Sequence, residues 1–320
     1  MKRISPLLLL MLLTLTLSGC GRIKQPKTLN IGILQIVQHG SLDAARDGFE
    51  TQFNHEVKRV HPKWRVHYNY QNAQGDQANL NAMAQQLTIT KPQLVLAIGT
   101  PAAQVMARKT RTIPVLTTAV TNLVQAGLVQ SNQRPQTNVS GTSDQGPVTA
   151  QIKLLTQLTK HSQQPLGIIY NSSEANSLNQ VNTARTYAKA HQLQLKVVSV
   201  SSANDIQSAL VGLTPKVAGL YVPTDNLMAS SMKLIGKQTQ RAHIPVVTGS
   251  IEMAADGGTA TYGLNYRDLG KQTAKMAAHV VLKHQKPAEM PVQTAQHLQL
   301  YVNQSRTQAL GINPKTVHKP

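Results

Sequence analysis

Three acidic residues fall in loops where they could bind a charged solute. The chain has only 13 Asp and Glu against 32 Lys and Arg, yet Asp144, Glu174 and Asp225 follow predicted strands or lie at a predicted crossing between lobes. A carboxylate pairs strongly with an ammonium group, so Asp225 or Asp144 could bind one. The free N–H groups of a helix start such as Thr100-Pro101 suit a carboxylate. Together these residue types could bind both the ammonium group and the carboxylate of a free amino acid.

The candidate ligand-binding residues share a polar side chain and a position just after a predicted strand or at a predicted crossing. They are Gln35, Asn72, Gln74, Thr100, Thr118, Ser143, Asp144, Asn171, Ser173, Glu174, Asn176, Thr224, Asp225, Asn226, Ser250 and Tyr266. Because Ser, Thr, Asn and Asp are also common helix N-caps, capping is the alternative for any single one of them. Taken together, these loops favour a polar cleft.

Short aliphatic runs alternate with helical stretches, which predicts parallel sheets covered by helices on both faces. The predicted strands form one series at 29–34, 64–70, 94–98 and 114–116, and a second at 166–170, 195–200, 217–222 and 244–247, with a last strand at 297–302. Two sets of apolar residues at helical spacing each predict a buried helix face. These sets are Leu42, Ala45, Phe49 and Phe53, and Leu269, Thr273, Met276 and Val280.

The strand–helix pattern occurs twice, and turn-rich segments at 142–147, 263–265 and 291–295 separate its parts. The predicted fold class is therefore α/β, with two doubly wound parallel-sheet lobes joined by a three-segment hinge. We predict an N-terminal lobe of residues 29–143 plus 266–293 and a C-terminal lobe of residues 144–265 plus 294–320. Ligands of such sheets bind at the carboxyl ends of the strands, so the polar loops should meet at a cleft between the lobes.

The first 20 residues have the pattern of an export signal. Two basic residues precede an apolar run, Leu7–Leu17, which is too short to span a membrane because a spanning helix needs about 20 apolar residues. Small residues then precede Cys20, as in the lipobox of bacterial lipoproteins. We predict a signal peptide at 1–19, lipidation of Cys20, a lipidated tether at 20–28 and anchoring to the extracytoplasmic face of the cell membrane. An ordinary secretory signal is the alternative.

Composition argues against several other classes of protein. The formal charge of +19 is spread along the chain and aromatic residues make up only 3%, so we expect no nucleic-acid binding. The single cysteine rules out an internal disulfide framework and a Cys-based zinc cluster. Nucleotide-binding glycine motifs and the G-x-S-x-G elbow are missing from the sequence. We therefore expect no enzyme activity, no metal and no cofactor, and keep only His39 among the histidines as a candidate cleft residue.

Strings at the strand-end loops resemble one known family of proteins. The strings are IGILQIVQHGSLDAARDGF, YQNAQGDQANL, AIGTPAAQ, TAVTNLVQAGLV, GTSDQGPV, YNSSEANS, YVPTDNLMASSM and ATYGLNYRDLGKQTAKMA. They are similar to the ABC-transporter substrate-binding lipoproteins for tryptophan and tyrosine uptake, over about Leu29 to Ile312. The resemblance implies a type I periplasmic-binding fold and an aromatic amino acid, chiefly tryptophan, as ligand. It also implies delivery to an ABC permease driven by a cytoplasmic ATPase.

Within this hypothesis each loop has an expected role. We expect Asp225 to bind the ammonium group, Thr100 and Thr118 the carboxylate, and Asn171, Ser173 and Tyr266 to orient the ligand. The protein should act as a monomer. Alternatives are a sensory binding protein on the same fold and an importer component for another small polar solute such as a nucleoside or sugar. A further alternative is an extracellular enzyme, but the sequence shows no nucleophile–base pair.

Overall fold

The computed structural model describes residues 27–160 and 162–320, so the predicted signal peptide and Cys20 lie outside the described residues. Within the described part of the chain, no helix combines the length and apolar character needed to cross a bilayer. The chain forms two α/β lobes, each built on a six-stranded sheet. The predicted fold class is confirmed.

The chain builds most of each lobe in one continuous stretch and then returns to both. The first stretch contains β1 (Thr28–Gln35), α1 (Gly40–Val60), β2 (Arg65–Asn72), α2 (Gln77–Ile89), β3 (Leu94–Ile98), α3 (Thr100–Lys109), β4 (Val115–Val120) and β5 (Val139–Ser143). The second contains α4 (Val148–Leu158), β6 (Leu166–Asn171), α5 (Ala175–Ala190), β7 (Leu195–Val200), α6 (Ala203–Leu213), β8 (Gly219–Val222), α7 (Asn226–Ser230), α8 (Met232–Arg241), β9 (Val246–Thr248), α9 (Ile251–Asp256) and β10 (Ala260–Gly263). The last contains α10 (Tyr266–Lys283), β11 (Gln293–Thr294), β12 (Gln299–Val302) and α11 (Gln304–Ala309).

Strand order fixes where a ligand can bind. The first sheet runs β11-β5-β4-β3-β1-β2 and the second runs β12-β10-β9-β8-β6-β7. All neighbouring pairs are parallel except β10 and β12. Strand order therefore reverses between β1 and β3 in the first lobe, and between β6 and β8 in the second. In doubly wound sheets the ligand crevice lies outside the carboxyl ends of the strands at such points.

Close packing of α1 against α10 secures the return of the chain to the first lobe. A Cβ atom added at Gly270 would lie 1.9 Å from the carbonyl oxygen of Ala45, and one at Gly48 would lie 2.1 Å from that of Arg267. Only glycine permits backbones to approach this closely. The predicted apolar face of α1 is buried here, with Phe49 stacked on Phe53 at 5.6 Å between ring centroids. Both helices predicted from apolar spacing are confirmed.

Three strands were not predicted: β5, β10 and the two-residue β11, which lies in a segment predicted as a crossing. The β5 sequence VSGTS is rich in small polar residues, which is typical of a turn, but all five residues are buried. The fold satisfies their hydroxyl groups internally, since Thr142 Oγ1 lies 3.2 Å from Thr118 Oγ1 and 2.8 Å from Thr273 Oγ1. A polar sequence can therefore form a central strand here.

Small differences also occur at element ends. The sequence predicts Thr100 as the N-cap of α3, with Pro101 as the first helical residue. In the structure the N-cap is Gly99, with φ 93°, and Thr100 is already helical, so that prediction was wrong by one residue. Thr294, the first residue of the returning segment assigned to the C-terminal lobe, still pairs with Ser143 in the first sheet. The lobe boundaries themselves stay predictions.

Candidate ligand-binding cleft

A narrow space lies at the seam between the lobes, and we call it the seam cavity. It is lined by His39, Ser41, Leu42, Ala119, Asp144, Asn176, Thr224, Asp225, Asn226, Ala229, Met253 and Tyr266. The volume open to the centre of a water molecule is about 10 Å³, and one buried water needs about 10–15 Å³ by this measure. The lobes are therefore closed on each other more tightly than an amino acid would allow, so ligand entry requires them to part.

A second space adjoins the seam cavity. It measures about 60 Å³ and is lined by Thr100, Asn122, Gln125, Ala126, Ala175, Asn176 and Asn179. Asn176 lines both spaces, so they share a wall. Thr100 and the start of α3 therefore lie within the same interlobe cleft as the seam cavity.

Direct hydrogen bonds join the two lobes beside the cavity. The hydroxyls of Ser41 and Ser250 are 3.0 Å apart, and His39 Nε2 lies 3.3 Å from Asn226 Oδ1. Ser41 and His39 stand at the start of α1, whereas Ser250 and Asn226 follow strands of the second sheet. These contacts exist only while the lobes are closed.

The first two crossings between the lobes meet at a buried carboxylate. Asp144 follows β5 at the first crossing, and the Tyr266 hydroxyl, at the second, donates a hydrogen bond to Asp144 Oδ2. Burial raises the pKa of Asp144, although the bond from Tyr266 partly opposes this shift. Burial also raises the pKa of Tyr266, and the charge of Asp144 adds to that increase. The tyrosine is therefore a hydrogen-bond donor at neutral pH, and it holds one oxygen of Asp144.

Two further buried carboxylates hold the loops of the second lobe together. Asp225 Oδ2 accepts from the Asn171 N–H at 2.6 Å, and Oδ1 accepts from the Met228 N–H at 3.0 Å as the N-cap of α7. Burial raises the pKa of Asp225, and the neighbouring Glu174 raises it further. Glu174 accepts bonds from the side chains of Asn171, Asn176 and Asn226 and from the backbone of Asn226 and Leu227. We call these two carboxylates and their donors the second-lobe network.

His39 has a defined tautomer because of this network. Asn226 Nδ2 donates to Glu174 Oε2 at 2.6 Å, which turns Asn226 Oδ1 toward His39. An acceptor at Oδ1 requires His39 Nε2 to carry the proton. Burial lowers the pKa of His39 to about 4, so the ring is neutral at pH 7 and Nδ1 is an acceptor.

Three buried polar atoms of the cavity-lining residues have no hydrogen-bond partner. They are His39 Nδ1, Asp144 Oδ1 and Asn176 Oδ1. An unpaired buried polar atom costs about 1–3 kcal/mol. Such a cost at three atoms around one cavity is typical of a site that a ligand completes.

Six of the sixteen predicted ligand-binding residues line the seam cavity. They are Asp144, Asn176, Thr224, Asp225, Asn226 and Tyr266. Thr100 lines the adjoining space, and Ser250 bonds to Ser41 across the seam. Asn171 and Glu174 lie behind the cavity in the second-lobe network.

The structure does not bring the other six predicted residues to the seam cavity. Gln35, Thr118 and Ser143 are hydrogen-bonded inside the first lobe, to Asp43, Thr142 and the Thr121 carbonyl respectively. Ser173 is exposed. Asn72 and Gln74 form a turn in which Asn72 Oδ1 accepts from the Gln74 N–H at 2.9 Å. That turn follows β2, the edge strand, and is displaced from the switch point of the sheet.

Comparisons with known proteins agree with this geometry. The sequence profile of the ABC transporter substrate binding protein family matches residues 30–317. The chain belongs to this family. Substrate-binding proteins of ABC transporters act outside the cytoplasmic membrane, so the protein is extracytoplasmic. The resemblance drawn from the strand-end strings is confirmed.

This substrate-binding protein is similar to a curated relative and to solved structures. It is 35% identical over 286 residues to the tyrosine-binding protein of Clostridioides difficile (strain R20291), covering 89% of this chain and 82% of that protein. It superposes with a TM-score of 0.84 on the ABC domain in complex with L-Trp from Streptococcus pneumonia, at 34% identity, covering 90% of this chain and 96% of that one.

A third comparison concerns how the lobes are arranged. The ligand-free, open structure of a substrate binding protein with adhesive properties from Clostridium difficile is also 34% identical, covering 91% of this chain and 97% of that one, but its TM-score is 0.68. At equal identity, this substrate-binding protein is thus more similar to the L-Trp complex than to the open structure. The closed seam described above agrees with that difference.

Sequence reasoning missed several cavity-lining residues of the substrate-binding protein. Leu42 reads as part of an apolar helix face, and Met253 and Ala229 read as ordinary core. Ser41 carried a usable signal, because it is a polar residue at the start of the helix that follows β1. Ala119 carried none, although its φ of 58° at a register shift in β4 marks a constrained backbone beside the cavity.

A wide groove of the substrate-binding protein lies outside the cleft. It has a volume of about 720 Å³ and is lined by residues that include Lys27, Leu29, Arg111, Pro114 and Lys286. Lys27 and Leu29 lie at the start of β1, and Pro114 immediately precedes β4. The groove is therefore at the amino end of the first sheet, away from the carboxyl ends that form the cleft. Among the described residues, no group of three or more potential metal ligands is placed to hold an ion.

Proposed function

We propose that this protein captures an aromatic amino acid, tryptophan or tyrosine, between its lobes and delivers it to the permease of an ABC importer. The observation that carries this proposal is the mixed lining of the seam cavity. Buried polar atoms without partners lie on its wall together with the apolar side chains of Leu42, Ala119, Ala229 and Met253. This combination suits a ligand with a charged end and an apolar end. The ligands named for the relatives support the same class.

Capture follows from contact with both lobes. A ligand that touches α1 in the first lobe and the β8–α7 loop in the second binds the closed form better than the open one, so it shifts the population toward closure. The direct contacts of Ser41 and His39 with the second lobe add to the stability of that closed form. The permease then recognises the closed protein, and its ATPase partner drives uptake.

The proposed site is the set of residues around the cleft rather than every strand-end loop. We place Asp144, Asn176, Thr224, Asp225, Asn226 and Tyr266 in the ligand-binding wall, with His39, Ser41, Leu42 and Met253 added to it. Thr100, at the start of α3 in the adjoining space, is the proposed partner of the ligand carboxylate. Asn171, Glu174 and Ser250 support this wall.

A thermal-shift screen of the mature protein tests the function. True ligands stabilise the folded protein by about 2.7 kcal/mol at a hundredfold excess over Kd. We expect L-tryptophan or L-tyrosine to give the largest increase in Tm among the amino acids, sugars and nucleosides. Stabilisation by a sugar or nucleoside, without any by amino acids, would contradict the proposal. Unchanged concentrations of each candidate ligand over hours with the purified protein would support a binding role without catalysis.

We also propose that the mature chain begins at a lipidated Cys20 and works as a monomer on the outer face of the cell membrane. The lipobox-like residues before Cys20 support this, and two acyl chains suffice for stable anchoring. The test compares wild type with Cys20→Ser by fractionation and mass spectrometry. We expect the wild type in the membrane fraction with a diacylglyceryl-modified cysteine, and the variant without that modification. A wild type released into the medium would contradict the anchor.

A further inference from the structure

We propose that the ligand's ammonium group is bound by His39 Nδ1, Asp144 Oδ1 and Asn176 Oδ1, and that Asp225 has a structural role. This inference rests on the proposed function and specifies how the charged end of the ligand is recognised. The three atoms are buried, lack hydrogen-bond partners and belong to residues that line the seam cavity. We call them the three-acceptor site.

Each member is held as an acceptor by its other bonds. Asn176 Nδ2 donates to Glu174 Oε2 at 3.2 Å and to the Thr224 carbonyl at 3.0 Å, which fixes the amide and leaves Oδ1 free. Tyr266 donates to the second oxygen of Asp144, leaving Oδ1. The contact with Asn226 places the His39 proton on Nε2, so Nδ1 accepts.

Three acceptors match the chemistry of a primary ammonium group. An ammonium carries three N–H donors and no acceptor. Among the described residues that line the seam cavity there is no Lys or Arg, while Asp144 and Asp225 are both acidic. The wall therefore offers no cationic partner to a carboxylate or phosphate, whereas an ammonium finds acceptors there and favours the ionised form of Asp144.

Asp225 is less suited to this role despite lining the same cavity. Both of its oxygens already accept backbone N–H groups, from Asn171 at 2.6 Å and from Met228 at 3.0 Å. These bonds cap α7 and tie its start to the end of β6. Asp225 therefore shapes the second lobe, whereas Asp144 retains a free oxygen for the ligand.

The three-acceptor site also explains why binding would close the protein. His39 comes from the first lobe, Asn176 from the second, and Asp144 from the first crossing between them. One ammonium group bound to all three would hold the lobes and the hinge together. An open protein could present only part of the site.

The experiment compares ligands that differ only at the charged end. Calorimetry measures the Kd of L-tryptophan and of 3-indolepropionate, which lacks the ammonium, with wild type, Asp144→Asn and Asp225→Asn. Asn at position 144 still accepts from Tyr266 and preserves the shape. We expect Asp144→Asn to weaken L-tryptophan binding roughly 10- to 100-fold, as for a lost hydrogen bond to a charged group. Its binding of 3-indolepropionate should not weaken.

Asp256→Asn is the matched control. Asp256 is an exposed acid near the start of α1, 3.1 Å from where a Cβ of Gly40 would lie, and it does not line the cavity. Its removal should leave both Kd values within about twofold. Equal weakening of both ligands by Asp144→Asn would overturn the assignment, as would a selective loss of L-tryptophan with Asp225→Asn but not with Asp144→Asn.

Failure of the proposed function gives a separate pattern. If wild type binds non-aromatic but not aromatic amino acids, the proposed aromatic ligand is wrong. The three-acceptor site is then supported only if Asp144→Asn weakens the binding of those non-aromatic amino acids. If wild type binds ligands without an amine and none with one, both proposals fail.

Discussion

The two lobes contribute to the cleft in different ways. In the second lobe, Glu174 and Asp225 tie the loops after β6 and β8 into one hydrogen-bonded network that is complete without the first lobe. The first lobe contributes His39, Ser41 and Leu42 from the start of α1, together with Ala119 of β4 and Tyr266 of α10. The second-lobe wall is therefore organised before closure, and the first-lobe wall completes it. Capture by closure needs one fixed surface and one that moves onto it.

The largest expected effect comes from the second-lobe network, which forms the wall that is organised before closure. Glu174→Ala removes the acceptor of three asparagine side chains and two backbone N–H groups. Leaving several buried donors unpaired should lower the free energy of unfolding by about 3 kcal/mol or more and abolish ligand binding. Urea denaturation measures the change, with exposed Glu289→Ala as the control. A Glu174 variant as stable as the control would show that the second-lobe wall does not depend on the network.

The next effect is a pH dependence of stability that comes from His39 in the first-lobe wall. Burial lowers the pKa of His39 from 6.5 to about 4. The free energy of unfolding is therefore unaffected by this group above pH 6.5 and decreases as the pH falls toward 4. In that range His39 is protonated in the unfolded chain but stays neutral in the folded protein. When the pH is lowered from 7 to 5, the free energy of unfolding of wild type should decrease by about 2 kcal/mol more than that of His39→Gln.

Denaturant titrations at several pH values check this prediction for His39. The difference between the two proteins isolates the histidine from buried carboxyls such as Asp144 and Asp225, whose raised pKa values act in the opposite direction. Parallel curves for wild type and His39→Gln would contradict the lowered pKa of His39.

A smaller effect is expected where the crossings meet. Tyr266→Phe removes the hydroxyl that donates to Asp144 and leaves that oxygen unpaired. We expect a loss of about 1–2 kcal/mol in the free energy of unfolding. Loss of this donor should also raise the pKa of Asp144 further. Thermal unfolding measures the stability, and the carboxyl carbon chemical shift of Asp144 follows its titration by NMR. An unchanged titration would contradict the contact.

The smallest effect concerns the direct contact between the lobes. Ser41→Ala removes a hydrogen bond of 3.0 Å to Ser250 that only the closed form makes. Loss of one neutral hydrogen bond, worth about 1 kcal/mol, should weaken ligand binding about fivefold. Ser173→Ala, in an exposed position, is the matched control and should change affinity less than twofold. The opposite ranking in calorimetry would restore the role first expected for Ser173.

Much of the fold could be predicted from sequence because aliphatic runs and helical spacing report burial directly. Strands β1–β4 and β6–β9 were found in this way. Strand β5 was not, because its buried Thr142 hydroxyl is paired by Thr118 and Thr273, and these residues are distant in sequence. A polar segment shows its partners only once the chain is folded.

The candidate site was predictable in part for a related reason. Strand-end position singles out Asp144, Asn176 and Tyr266, which line the cavity. It equally singles out Gln35, whose amide bonds to Asp43 within the first lobe. Position along the chain does not show which polar groups the fold has already satisfied. This is why the sequence favoured Asp225 as the ammonium partner and the structure favours Asp144.

A crystal structure grown with L-tryptophan or L-tyrosine tests the account most directly. We expect one ligand at the seam, its ammonium against Asp144 and Asn176 and its side chain against Leu42 and Met253. The lobes should be closed around it, with the seam cavity widened and the contact between Ser41 and Ser250 kept. A ligand in the groove beside Lys27, or a seam with the same closed dimensions and no ligand at saturating concentration, would contradict the claim that the lobes capture an aromatic amino acid between them.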